Sequence, residues 1–217
     1  MKILAVEFSS DHRSVAVLDG DNLLAEKTIT EGRNTAAIQL IEATLTGAKI
    51  DRSDIECIAV GIGPGSYTGI RAAIALTQGW QLATGIKVQA MDSLEALALG
   101  RQRSGDRGEI TFAVDAARGE FYLAKFELEN GGVRKIEPTR LAKRDEFEAL
   151  LESGQPVIGP SLAEKYPAVM EQFPSAEFVG RLAARRVEFV EASELEPVYL
   201  RQIDFVKAPP LREIPPA

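Results

Sequence analysis

The 217-residue chain has one cysteine, Cys57, one histidine, His12, and one tryptophan, Trp80. A single cysteine rules out an internal disulfide. A single histidine excludes metal sites and acid–base dyads that need two. No segment approaches the roughly 20 apolar residues of a membrane span. The opening stretch, Met1 to Glu7, is too short and too soon interrupted by a carboxylate to read as a signal peptide. A cytoplasmic location is the expectation, and a lone thiol fits a reducing compartment. Positive charge is also in deficit: 25 Lys and Arg face 32 Asp and Glu, a net −7. A protein that grips phosphate backbones unaided carries a basic footprint, so stand-alone nucleic-acid binding is not expected.

What is present is an ordinary globular composition, 45% hydrophobic and 26% charged. A chain of this length makes one domain or two small ones and buries roughly 70–75% of its unfolded surface. Ile3–Phe8, Arg13–Leu18 and Leu23–Thr30 read as three strands, close enough in sequence for an antiparallel meander. Asn34 is placed to cap a helix carrying Ala37, Ile38, Ile41 and Leu45 at helical spacing. A strand over Ile55–Val60, a helix over Ile70–Ala83, a strand over Lys87–Ala90 and a helix over Ser93–Leu99 follow. The polar stretch Arg101–Gly108 marks a boundary, dividing the chain into 1–103 and 104–217. The second part reads as strands at 110–114, 120–127 and 133–136, and helices at 145–151, 162–172 (interrupted by Pro167) and 180–190. Three sequential strands followed by alternating helix and strand imply an α/β protein with mixed sheets and helical layers.

The densest chemical signal is Gly63-Pro64-Gly65-Ser66-Tyr67-Thr68-Gly69, at a strand-to-helix handover. Glycines there let backbone N–H groups approach an anion, and Ser66 and Thr68 offer hydroxyls. The same residues read equally as a tight turn with a helix cap. The spacing is neither a P-loop nor a G-x-G-x-x-G, and Tyr67 occupies the nucleophile position of a G-x-S-x-G elbow. Glu7 and Ser9 after the first strand, and Asp115 and Arg118 at a later turn, offer magnesium or phosphate contacts, or simply polar turns. His12 reads as an exposed turn residue and Cys57 as a small buried hydrophobe. The helix after the loop is apolar on nearly every face. One face packs on the sheet, and the other must be covered by this chain or by a partner. Ile70, Ala73, Ile74 and Trp80, with Ala37, Ile38, Ile41 and Leu45 of the preceding helix, are the candidate partner interface.

Together these pieces resemble the TsaB (YeaZ) family. The resemblance is carried by Glu7-Phe8-Ser9-Ser10, Ala59 through Arg71, Ser93 through Leu97, Val114 through Tyr122, and Pro197-Val198-Tyr199-Leu200-Arg201. It implies an actin-like ATPase fold (ASKHA, ribonuclease H-like) of two related subdomains. It also implies a noncatalytic subunit that dimerises when alone and pairs with a TsaD-like catalytic subunit and a TsaE-like ATPase. That assembly modifies N6 of adenosine 37 in tRNA, and tRNA would be met only through the complex. No catalytic residue, metal or intrinsic cofactor is expected in this chain. ATP or ADP would bind only at an interface in the complex, near Glu7, Ser9, Gly63, Gly65, Ser66, Thr68, Gly69, Asp115 and Arg118. Two positions depart from the family pattern. Glu7 stands where Asp is usual, and Arg33-Asn34-Thr35 replaces a His-Ser-Glu-like start. Two other readings stand beside this one: a self-sufficient actin-like nucleotide-binding ATPase and a glycoprotease-like peptidase.

Overall fold

The computed structural model describes residues 1–30 and 37–200. The expected cap at Asn34, the Arg33–Thr35 departure, Arg201 and the proline-rich end of the chain lie outside the described residues.

Strand β1 (Lys2–Glu7) is apolar from Ile3 to Val6 because both of its faces are buried. Leu4 and Val6 point to one side with Phe8, and Ile3 and Ala5 to the other. β2 (Arg13–Asp19) pairs antiparallel with β1, and β3 (Asn22–Ile29) antiparallel with β2. After helix α1 (Ala37–Ala48), β4 (Cys57–Gly61) returns parallel to β1, with Val6 opposite Val60. Helix α2 (Tyr67–Thr84) leads to β5 (Lys87–Met91), parallel to β4, and helix α3 (Ser93–Arg103) follows. The first sheet has the order β3-β2-β1-β4-β5.

The pattern then repeats. β6 (Gly108–Asp115), β7 (Glu120–Glu129) and β8 (Gly132–Lys143) form a second antiparallel meander. After α4 (Arg144–Glu152), the short β9 (Val157–Gly159) runs parallel to β6, and β10 (Met170–Glu171) parallel to β9. The second sheet has the order β10-β9-β6-β7-β8, the same topology as the first. This duplication is the actin-like architecture, two mixed sheets flanked by helices.

Three expectations are corrected. The helix over 162–172 is absent, and the segment forms turns that end in β10. It occupies the place that α2 holds in the first repeat, but Pro160 and Pro167 deny it an uninterrupted hydrogen-bonded helix. The strand at 133–136 extends to Lys143, because its pairing with β7 resumes beyond an irregularity opposite Lys125 and runs on to Lys143. The helix at 180–190 is instead α5 (Ala176–Ala184). Beyond it the chain runs alongside the edge strand β5, where the Val190 N–H donates to the Val88 carbonyl at 2.9 Å. That bond gives the segment a backbone partner on an open sheet edge.

Helices α3 and α5 exchange places. Leu94, Leu97 and Ala98 of α3 pack on the second sheet with Phe112 and Phe126, while Ala96 and Leu99 face the first. Helix α5 follows the second sheet yet packs Ala176, Val179, Leu182 and Ala183 onto Ile3, Ala5, Ala16 and Leu18 of the first. Gly180 permits this, since a side chain there would collide with Leu18. Ala192 and Leu195 join the core on the other face of the first sheet. Residues 176–195, beyond the expected boundary at 103/104, therefore lie against the first sheet. Among the described residues no helix is long and apolar enough to cross a membrane.

Candidate functional site

The first candidate centre is the end of β1. The fully buried Glu7 carboxylate accepts the Ser9 N–H at 2.6 Å and the Ser93 hydroxyl at 2.7 Å. Ser93 Oγ in turn accepts the Gly63 N–H at 3.1 Å, tying β1, the glycine-rich loop and the start of α3 together. Burial raises the Glu7 pKa above its ordinary value, and the Ser9 and Ser93 hydrogen bonds pull the other way.

The loop itself closes on its own chain. The Ser66 N–H donates to the Ser9 carbonyl at 2.7 Å. A side chain at Gly65 would strike the Ser9 carbonyl, and one at Gly69 the Phe8 carbonyl. Ser66 is the N-cap of α2, its hydroxyl accepting from Gly69 N at 3.4 Å. The turn-and-cap reading thus accounts for the glycines and for Ser66. Thr68 is exposed on the first turn of α2. Asp115 and Arg118 sit on the β6–β7 turn, where Asp115 Oδ1 accepts the Ala117 N–H at 2.6 Å and Arg118 is exposed. The structure therefore brings Glu7, Ser9, Gly63, Gly65, Ser66 and Gly69 together, and leaves Asp115 and Arg118 on the matching turn of the second repeat. As they stand, these residues do not fit a magnesium–phosphate group. Both Glu7 oxygens are engaged in the interior, and the chain's own carbonyls fill the space beside Gly65 and Gly69.

His12 is not the exposed turn residue expected. Its ring is half-buried and stacks on Phe173, with ring centroids 3.5 Å apart. Cys57 is a buried free thiol, as expected, and burial pushes its pKa up to about 12.

The second candidate is the outer surface of α1 and α2. A groove of about 730 Å³ runs between them, lined by Ile38, Ile41, Ala72, Ala75, Leu76 and Trp80, with Glu42 and Arg52 paired at its rim. Ile38 is 58% exposed and Leu82 is 91% exposed. Of the residues expected at an interface, Ile38 is exposed and Ala37 and Trp80 are half-buried. Ile41 and Leu45 of α1, and Ile70, Ala73 and Ile74 of α2, are buried in the core, although Ile41 also reaches the groove floor. The reason is rotational. In a helix that is apolar all round, hydrophobicity does not say which face meets the sheet. Ala72, Ala75, Gly79, Leu82 and Ala83, outside the expected set, form the solvent-facing side of α2. Their spacing of three and four residues was the available signal.

The family model for TsaD, tRNA N6-adenosine threonylcarbamoyltransferase, matches residues 31–209. The tRNA threonylcarbamoyladenosine biosynthesis protein TsaB of Escherichia coli is 28% identical over 93% of this chain and 95% of its own length. The protein of the same name from Bacillus subtilis is 29% identical over 73% of this chain and 69% of its own length. The solved structure of YeaZ from Pseudomonas aeruginosa superposes with a TM-score of 0.77 at 28% identity, covering 92% of this chain and 99% of that one.

Proposed function

The chain belongs to the tRNA N6-adenosine threonylcarbamoyltransferase (TsaD) family, among its TsaB (YeaZ) members, and from that premise we propose that it is a noncatalytic scaffold subunit of a tRNA threonylcarbamoyladenosine-forming complex. Its role is to dock a TsaD-like catalytic subunit, and in the subunit's absence a second copy of itself, through α1 and α2. A TsaE-like ATPase completes the assembly. The observation that carries this reading is the α1–α2 groove: an apolar surface on a protein otherwise rich in charge asks for a partner. The alanines and glycine along α2 let a second helix approach closely, and Trp80 supplies an aromatic anchor at the groove wall.

The buried Glu7 arrangement supports a noncatalytic role. A self-contained ATPase would need that carboxylate, or the loop N–H groups, turned toward ligand. We assign any ATP or ADP to a boundary completed by the catalytic subunit. Genetic complementation tests the reading. Expressed in cells lacking their own TsaB, this chain is expected to restore threonylcarbamoyladenosine in tRNA, measured by mass spectrometry of digested nucleosides. No restoration, despite stable expression and co-purification with the TsaD-like subunit, would overturn it.

A further inference from the structure

Away from both candidate sites, a polar pocket of about 310 Å³ opens where α3 and α5 end beside the β7–β8 turn. Arg103, Arg107 and Arg185 line it, with Gln102 and Asn130. Asp21, in the β2–β3 turn, is the carboxylate that Arg103 and Arg185 share. It lies 3.2 Å from Arg103, 3.6 Å from Arg185 and 3.3 Å from Arg181, which also pairs with Glu177 at 2.8 Å. Three guanidinium groups, those of Arg103, Arg181 and Arg185, thus answer to two carboxylates.

Helix-end electrostatics explain part of this. Arg103 and Arg185 sit at the C-termini of α3 and α5, where positive charge offsets the helix dipole. Arg107 is different. It belongs to the loop before β6 and is held by neutral groups: Nε donates to Asn130 Oδ1 at 2.9 Å, and Nη1 to the carbonyls of Gln102 at 2.9 Å and Asp106 at 2.6 Å. Its charge meets no carboxylate among the described residues, and its Nη2 group makes no hydrogen bond there. A guanidinium fixed in place with donors to spare is a preorganised oxyanion fork.

We propose that this pocket binds a phosphodiester of an RNA strand. The inference rests on the tRNA reading above and adds to it a contact made by this chain's own residues. The open, polar pocket suits one phosphate on a continuing strand, and arginine forks recognise phosphate without reading sequence. With a net charge of −7 the molecule as a whole repels RNA, so such a patch also fixes which side faces the strand.

The test is binding of an unmodified tRNA transcript to the full-length chain at low ionic strength, over a salt series. Wild type is expected to bind weakly, with affinity falling as salt rises. In the double variant Arg107→Gln/Arg185→Gln, affinity is expected to fall several-fold and the log–log salt slope to shrink by about 0.7–0.9, the share of one phosphate contact. Arg134→Gln, at a residue already paired with Glu127 and Glu129, is expected to leave both unchanged. Matching thermal unfolding curves establish that the variants fold. Affinity and slope unchanged in the double variant, or no wild-type binding at low salt, would overturn the site. So would displacement of tRNA by inorganic phosphate beyond the effect of ionic-strength-matched chloride, which would mark a small-anion pocket. Failure here with successful complementation removes the pocket alone. Failed complementation removes the functional reading itself.

Discussion

A methyl group added at Gly69 would overlap the carbonyl oxygen of Phe8, whereas one added at Gly79, ten residues along the same helix, would meet nothing within 4 Å. Alanine is the better helix former by about 1 kcal/mol, so the two substitutions should have opposite signs. Gly69→Ala has to push backbone against backbone, and overpacking of that kind costs about 1–3 kcal/mol or more. Its net effect is destabilising, while Gly79→Ala gains up to about 1 kcal/mol. Urea unfolding of the two variants checks this; equal shifts would contradict the packing described for the loop. Glu7 yields a second expectation at this scale. Its folded-state pKa lies above the ordinary 4.5, so the native state takes up the proton first. The stabilisation this brings is fully present below the unfolded pKa and is lost as pH rises through the folded one. Replacing Glu7 with Gln removes that titration. The stability of wild type relative to Glu7→Gln should therefore decline from acid toward neutral pH, in urea unfolding at matched pH values. Parallel curves would show that Glu7 carries no such shift. The sequence marked Glu7 and the glycines as a constellation. It could not show that the carboxylate turns inward, because that depends on Ser93, 86 residues away.

Helices differ in how far they could be read. Helix α2 was legible at its end, where Gly85 takes a left-handed conformation, but it starts at Tyr67, behind the Ser66 cap and three residues before the expected Ile70. Its facing was not legible, since Ala72, Ala73 and Ala75 are chemically alike and only the packed sheet distinguishes them. A charged substitution separates the two faces. Ala73→Glu places a carboxylate in the core that also holds Val60 and Val88, at several kcal/mol, and should unfold the protein. Ala75→Glu lies in solvent and should leave the melting temperature within a few degrees. Placed in the groove, however, it should weaken self-association or binding of the TsaD-like subunit at least tenfold. Sedimentation velocity alongside thermal unfolding reads both effects. A folded Ala75→Glu variant that assembles with wild-type affinity would move the interface elsewhere. The segment 162–172 failed for a different reason. Leu162 and Val169 are core residues at near-helical spacing, but they reach the Phe121–Phe147–Tyr166 cluster from successive turns instead.

At the scale of the molecule, the strand order of the first repeat was legible because each apolar run was short and bounded by turns. The second repeat was harder, since β9 and β10 are only three and two residues long. The exchange of α3 and α5 left no local trace at all. Its consequence is cooperativity. The face of the first sheet formed by Ile3, Ala5, Ala16 and Leu18 is covered by residues that follow the second sheet, and α3 contributes to the cores on both sides. Neither half can open without exposing the apolar face of the other, so the two sheets should unfold in a single transition. The chain contains its own reporters. Trp80, its one tryptophan, packs against the first sheet's core, while Tyr122 and Tyr166 pack in the cores of the second. Denaturant midpoints from Trp80 fluorescence, far-ultraviolet circular dichroism and near-ultraviolet tyrosine signals are expected to coincide. If Trp80 and the tyrosine signals separated by more than their fitting error, the halves would be independent units, and the helix exchange would not couple them as the packing implies.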